Sequence, residues 1–115
     1  MVGWGADNDA PLTSFGHSLV EAMNAMGLLV DLAHVGRAGF LDAAKRSRMP
    51  VICSHSAARE VWNSPRGIDD SQIRAIAETD GVMGIIFVTP FVGGGGAAQV
   101  AAHLDHVRKR VGIRH

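Results

Sequence analysis

Two short apolar runs in this chain each close on a histidine. The first, "LLVDLAHVG" at positions 28–36, passes through strand-forming aliphatics to His34 and breaks at Gly36. The second, "PVICSHS" at positions 50–56, begins at Pro50 and closes on His55. Apart from Asp31, the first run is apolar on both faces, as a strand is when helices cover both sides of its sheet. Between the runs, residues 36–48 place Phe40, Ala43 and Ala44 at helical spacing. Strand, helix and strand in this order require a parallel sheet flanked by helices.

The rest of the chain keeps the same rhythm. Residues 1–12 are rich in Gly, Asp and Asn and read as loop. Thr13 is placed to cap a helix on which Phe15, Leu19, Ala22, Met23 and Met26 recur at inward-facing spacing, and Gly27 stands where that helix would stop. After "VICS", residues 57–62 read as a short helical segment, broken by "NSPRG". Asp69 or Asp70 caps a helix carrying Ile73, Ile76 and Ala77. "GVMGIIFV" reads as a third buried strand and "TPFVGGGG" as loop. The last helix carries Val100, Leu104, Val107 and Val111 on one face, with Arg108, Lys109 and Arg110 in its final turn, where cations suit the helix dipole. Residues 13–115 thus read as three βα units of a single domain.

In such folds the chemistry gathers at the carboxyl ends of the parallel strands. His34 and His55 both stand there, on strands that would be neighbours about 4.8 Å apart. Two imidazoles so placed can converge on one ion, and neutral imidazole is a common zinc ligand. A hydrogen-bonded structural role fits a strand-end histidine equally well, and spacing leaves both readings open.

Composition narrows the function classes. Eleven basic residues balance eleven acidic ones, so net charge steers toward neither nucleic acid nor an anionic membrane. The glycines at 93–96 are followed by no Lys-Ser/Thr, which disfavours a phosphate-binding loop. No apolar stretch is long enough to span a bilayer, and the first residues lack the basic and apolar regions of a signal peptide. Cys53, the single cysteine, excludes an internal disulfide and reads as a small buried hydrophobe.

Beyond these patterns, "LTSFGHSLVEAMNAMGLLVDLAHVG", "PVICSHSAAREVWNSPRGIDDSQIRAIAETDGVMGIIF" and "VAAHLDHVRKRVGIRH" resemble, in order, stretches of the membrane dipeptidase (renal dipeptidase) family of zinc peptidases. The resemblance implies α/β architecture in which these parallel βα units form part of a (β/α)8 TIM-like barrel. It also implies zinc as cofactor, two ions per complete member, and a dipeptide as substrate. His34 matches the histidine of the family's D-L-[SA]-H-V motif and His55 that of its S-H-S motif, a pair that binds the second zinc. Arg66, in "SPRG", matches the arginine that binds the dipeptide carboxylate, although Gly67 stands where the family usually has Asn. "HLDH" resembles a structural motif, in which His103 and His106, three positions apart, have the spacing to chelate an ion. His17 is expected to be solvated.

Several family features have no counterpart in these 115 residues. They are the early His-x-Asp pair of the first zinc, the bridging glutamate and the upstream substrate-binding histidine. The sequence stops at "GIRH", just ahead of the strand that carries the family's catalytic aspartate. A barrel of this kind takes about 250 residues. The expectation is therefore a middle-to-late segment, incomplete as a barrel, that alone binds zinc weakly and hydrolyses dipeptides negligibly. The resemblance leaves the compartment open, with cytoplasm expected if the chain is bacterial. The alternative is a non-enzymatic truncated chain or interaction module, whose open sheet edges would favour a homo-oligomer.

Overall fold

The structure, a computed structural model, describes residues 9–115. The reading of positions 1–8 as loop lies outside the described residues, while residues 9–13 carry no regular structure. In chain order the elements are α1 (Ser14–Ala25), β1 (Val30–Asp31), α2 (Arg37–Arg46), β2 (Val51–Ala58), β3 (Gly67–Ile68), α3 (Asp70–Glu78), β4 (Val82–Ile85), α4 (Thr89–Val92) and α5 (Ala97–Val111).

β2 is the spine of a wholly parallel sheet. On its first residues it pairs with β1, Val30 opposite Val51 and Asp31 opposite Ile52. It pairs with β4 from Ile52 opposite Val82 to Ser56 opposite Ile85, with an irregularity between Cys53 and Ser56. Its last two residues, Ala57 and Ala58, pair with Gly67 and Ile68 of β3. Val51, Cys53, Phe40, Ile73 and Ile76 are the buried centre of the core, drawn from β2, α2 and α3. These are the apolar positions whose spacing marks the strand and the two helices, so helical and strand periodicity here translate directly into packing.

Several elements differ from the sequence reading, among them the "GVMGIIFV" strand, which is confined to Val82–Ile85 with Val82, Phe87 and Val88 exposed. Residues 57–62 do not form a helix. Ala57 and Ala58 continue β2, because their backbone groups find partners in β3, and the chain then turns with Val61 N–H donating to Ala58 C=O. Sheet pairing here outweighs the helical preference of alanine. The segment "TPFVGGGG" is not all loop, since Pro90 lies in the first turn of the short helix α4. The "LLVDL" strand shortens to Val30–Asp31, and Leu29 before it is 60% exposed.

The buried faces of α1 and α5 also differ. Thr13 caps α1 through the Gly16 N–H, and the helix ends with Gly27 N–H on Asn24 C=O and Leu28 N–H on Met23 C=O. Yet Phe15, on the expected inner stripe, is 75% exposed, and Leu19 and Met26 are exposed too. The helix instead turns His17, Val20, Glu21 and Asn24 toward α2. His17 Nε2 lies 2.8 Å from Asp42, Glu21 pairs with Arg46 at 2.6 Å, and Asn24 donates to Ser47 at 3.1 Å. His17 is therefore half-buried and paired rather than solvated. On α5, Val107 is buried as expected, but Leu104 is 54% exposed and His103 takes the inward position.

Asp69 is the residue that caps α3. Its carboxylate accepts from Ser71 N–H and Gln72 N–H, and the Gln72 side chain answers the Asp69 N–H, closing a capping box. Burial works to raise the Asp69 pKa, but Arg37 at 2.6 Å and the helix N–H groups outweigh it and hold the carboxyl below its ordinary value. Asp69→Ala is expected to cost about 1–2 kcal/mol of stability in urea unfolding. Asp69→Asn, which keeps a capping oxygen, should lose clearly less. Equal losses in the two variants would mean that the cap is not what Asp69 contributes.

Candidate metal centre at the carboxyl ends of the strands

β1 stops pairing at Asp31, opposite Ile52, whereas β2 runs on through His55 to Ala58. His55 therefore lies within its strand but beyond the carboxyl end of β1. The chain after β1 folds back in a turn closed by Val35 N–H on Leu32 C=O at 3.2 Å. His34 sits in that turn with φ +68°, a left-handed conformation uncommon outside glycine and costly enough to persist only where the surroundings impose it. The result is that His34 and His55 meet. Their Nε2 atoms are 3.0 Å apart and their rings stand edge to face, with centroids at 5.0 Å and planes at 62°.

The His55 ring and the turn that carries His34 are both anchored to the frame. Ser54 Oγ lies 2.7 Å from His55 Nδ1, which leaves Nε2 as the nitrogen facing His34. Asp31 Oδ1 accepts from Ala33 N–H at 3.0 Å and Ser54 N–H at 3.1 Å, tying the turn of His34 to the strand of His55. Burial tends to raise the Asp31 pKa, but the Ser54 hydroxyl, the two N–H groups and the nearby His55 together hold it below the ordinary carboxylate value. His34 is shifted down, by desolvation first, then by the charges of Arg66 and His55 against the opposing pull of Asp31. A depressed pKa keeps the imidazole neutral and its lone pair available.

Arg66 is buried beside them. Its Nη2 donates to His55 C=O at 2.9 Å, and its own carbonyl accepts from Ser56 Oγ at 2.6 Å. A cleft of about 170 Å³ takes in His34, Cys53, Ser56, Arg66 and Gln72. His34 lines this cleft and His55 does not, although their Nε2 atoms meet. Gly67 has a local reason. A Cβ there would stand 3.0 Å from Arg59 Cα, and Arg59 Nη2 donates to Gly67 C=O at 2.8 Å, so Arg59 holds the loop where the family usually has Asn. A larger depression of about 720 Å³ between α1 and α2 is lined by solvated charges such as Lys45 and Arg46, with no convergent chemistry.

The donor set fits a zinc ion. Two ligands held at about 2.0–2.1 Å in a tetrahedral shell stand roughly 3.3 Å apart, so a separation of 3.0 Å needs only a small spread of the rings. Among the described residues, no group of three or more His, Cys, Asp or Glu is placed to hold a metal, so these two imidazoles are a partial shell. Cys53 is buried in the strand, and burial, with Asp31 nearby, pushes its thiol up to about 12.

The remaining histidines are structural. His103 is fully buried on α5, where Nδ1 accepts from Ala58 N–H and Nε2 lies against Val92 C=O, each at 3.0 Å. His106 Nε2 pairs with Asp70 at 2.7 Å, and Asp105 pairs with Arg108 and Lys109, so "HLDH" does not converge on an ion. Strand and helix patterns miss the Asp31–Ser54 connection. The signal that could have found it is Asp31 itself, the one charge inside an otherwise apolar run.

A family model described as membrane dipeptidase (peptidase family M19) matches residues 3–115. Dipeptidase 3 of Mus musculus is 34% identical over 111 residues, which take in 91% of this chain and 22% of that protein. A solved metallopeptidase structure described as dipeptidase AC superposes with a TM-score of 0.86 at 35% identity, over 94% of this chain and 33% of its own. A metallopeptidase from Rhodobacter sphaeroides, solved with a phosphinate mimic of the dipeptide L-Ala-D-Ala, gives 0.85 at 34% identity, again over 94% and 33%. The chain thus spans about a third of the solved structures and less of the mouse protein.

Proposed function

This chain belongs to the membrane dipeptidase family, its parallel βα units are part of a TIM-like barrel, and from that premise we propose that His34 and His55 are two ligands of a zinc centre that hydrolyses dipeptides. The observation that carries the reading is the 3.0 Å approach of the two Nε2 atoms, both beyond the carboxyl end of β1. A zinc ion held by His34 and His55 would supply Lewis-acid polarisation of a peptide carbonyl and would acidify water toward neutral pH.

The chain's own residues have definable tasks. His34 and His55 offer neutral imidazole donors. Arg66, fixed by its bond to His55 C=O, keeps further guanidinium N–H groups for the free carboxylate of a dipeptide entering the cleft beside His34. That contact ties substrate position to the metal ligands, since one strand carries both His55 and the carbonyl that anchors Arg66. The buried neighbours Leu32 and Ile68 restrict water on the cleft's inner side.

Two imidazoles fill half of a four-coordinate shell. The 115-residue chain alone is therefore expected to bind zinc weakly, in a manner abolished by His34→Ala, and to show negligible turnover of Ala-Ala or L-Ala-D-Ala. Calorimetric zinc titration with a coupled amino-acid release assay reads both. Zinc binding unchanged in His34→Ala would remove the metal role. Tight stoichiometric zinc with robust hydrolysis would overturn the half-site reading and require ligands from a second copy of the chain.

A further inference from the structure

Among the described residues, the titratable clusters outside the histidine pair are accounted for by ion pairs or helix caps, but one set of contacts reaches the pair from behind. Ser54 Oγ is 2.7 Å from His55 Nδ1, and Ser54 N–H donates to the Asp31 carboxylate at 3.1 Å. The same carboxylate accepts from Ala33 N–H, one residue before His34. We propose that Ser54 and Asp31 are positioning residues that preset His55 as a metal ligand, with its ring hydrogen on Nδ1 and its lone pair on Nε2. The inference rests on the metal-binding reading of His34 and His55.

Hydrogen-bond capacity decides the tautomer. A neutral imidazole carries a single N–H, and whichever nitrogen bears it must donate. A hydroxyl alone does not choose, because it donates or accepts with equal ease. Asp31 breaks the symmetry. An ionised carboxylate only accepts, and the Ser54 side chain is among the groups that stabilise the Asp31 carboxylate, whose Oδ1 is already anchored to the Ser54 N–H. In the proposed arrangement the Ser54 O–H turns toward Asp31 and its oxygen presents its lone pairs to His55 Nδ1. That orientation selects the Nδ1–H tautomer, and the single hydrogen stays on the ring throughout. His55 Nε2 then faces His34 as an acceptor, receiving the His34 Nε2–H at 3.0 Å in the metal-free state. Binding an ion leaves the hydrogens of His55 where they are and asks only His34 to rearrange. Partners behind metal-binding histidines typically change metal affinity by about 10- to 100-fold when removed.

The position of Asp31 supports the assignment. It lies at the end of β1, in register with Ile52, on the exposed side of the strand, where water alone could satisfy the carboxylate. Instead it takes two backbone N–H groups, one from each histidine-bearing segment, so it aligns the segments as well as the tautomer.

The test uses the intact chain and reads the ring directly. Long-range nitrogen–proton spectra of the metal-free protein report which nitrogen of His55 carries the hydrogen. The wild type and Ser54→Thr, which keeps the hydroxyl on a strand residue, are expected to show Nδ1–H. Ser54→Ala and Asp31→Asn are expected to move the population toward Nε2–H, with zinc affinity lowered about tenfold or more. A His55 tautomer unchanged in both Ser54→Ala and Asp31→Asn, or Nε2–H already in the wild type, overturns the proposal. The zinc titration is independent of the tautomer readout. A wild type that binds no zinc through its imidazoles defeats the metal reading, while the metal-free spectra still decide the tautomer.

Discussion

His103→Ala is expected to remove a large fraction of the stability of this fold. The ring is fully buried and closes two contacts that local structure does not make. Nδ1 accepts from Ala58 N–H at the end of β2, and Nε2 meets Val92 C=O at the end of α4, positions 45 and 11 residues away. Alanine leaves the Ala58 N–H buried without a partner, at about 1–3 kcal/mol, while Val92 C=O keeps only the bond from the Gln99 amide at 2.7 Å. It also leaves a void the size of an imidazole, so the loss should be on the order of 4 kcal/mol or more. Small domains hold only about 5–15 kcal/mol in total, which makes this a large fraction. His103→Asn, whose Oδ1 stands close to where Nδ1 stood, should recover part of the loss by accepting again from Ala58. Urea unfolding followed by circular dichroism measures both variants. A loss under about 1 kcal/mol for His103→Ala would mean that the ring does not join α5 to β2 and α4.

That residue also marks where the sequence stops being informative. A histidine beside "LD" on an amphipathic helix reads the same whether it points outward to a carboxylate or inward to two backbone groups. Only the distant positions of Ala58 and Val92 decide. Elements whose causes are local are a different matter. A helix cap at Asp69 or Asp70, the stop at Gly27 and the inward Phe40, Ala43 and Ala44 all follow from spacing, and the structure has the latter two in those places and settles the cap on Asp69. β3 could not be read, since Gly67 and Ile68 lie in turn-like composition and become a strand only through Ala57 and Ala58. The rotation of α1 was equally hidden. Met23 of its apolar stripe does pack on the core, but the pairing of His17 with Asp42 sets a neighbouring face against α2, with Glu21 and Arg46 paired at its exposed edge.

The candidate site divides along the same line. The strand-then-histidine pattern was enough to bring His34 and His55 together, because parallel pairing of β1 with β2 fixes the relation of their carboxyl ends. It was not enough to give the turn that lifts His34 into a left-handed conformation, or the anchoring of Arg66 to the His55 carbonyl. Both depend on backbone hydrogen bonds across the sheet rather than on any pattern along the chain. Placement of the pair is therefore as secure as the geometry of β2, and β2 is held on its other side by β4.

The second large effect follows from that dependence. Gly84 of β4 lies against β2 so closely that a Cβ on it would stand 2.2 Å from the Ser54 carbonyl oxygen and 3.0 Å from the Ser54 carbonyl carbon. Both atoms are backbone, so no side chain can swing away, and Gly84→Ala must push the two strands apart at the irregularity between Cys53 and Ser56. Overpacking of this kind costs about 1–3 kcal/mol and sometimes more, and contact this short puts Gly84→Ala at the upper end. The displacement falls on Ser54, whose hydroxyl meets His55 Nδ1, so the variant should lose histidine-dependent zinc binding even under conditions where it stays folded. Gly95→Ala is the matched control, because a Cβ there meets nothing within 4 Å. Denaturation midpoints and zinc titrations on both variants separate the outcomes. A Gly84→Ala protein with wild-type midpoint and wild-type zinc affinity would show that β4 does not press on β2 at Ser54, and the geometry of the histidine pair would then need another support.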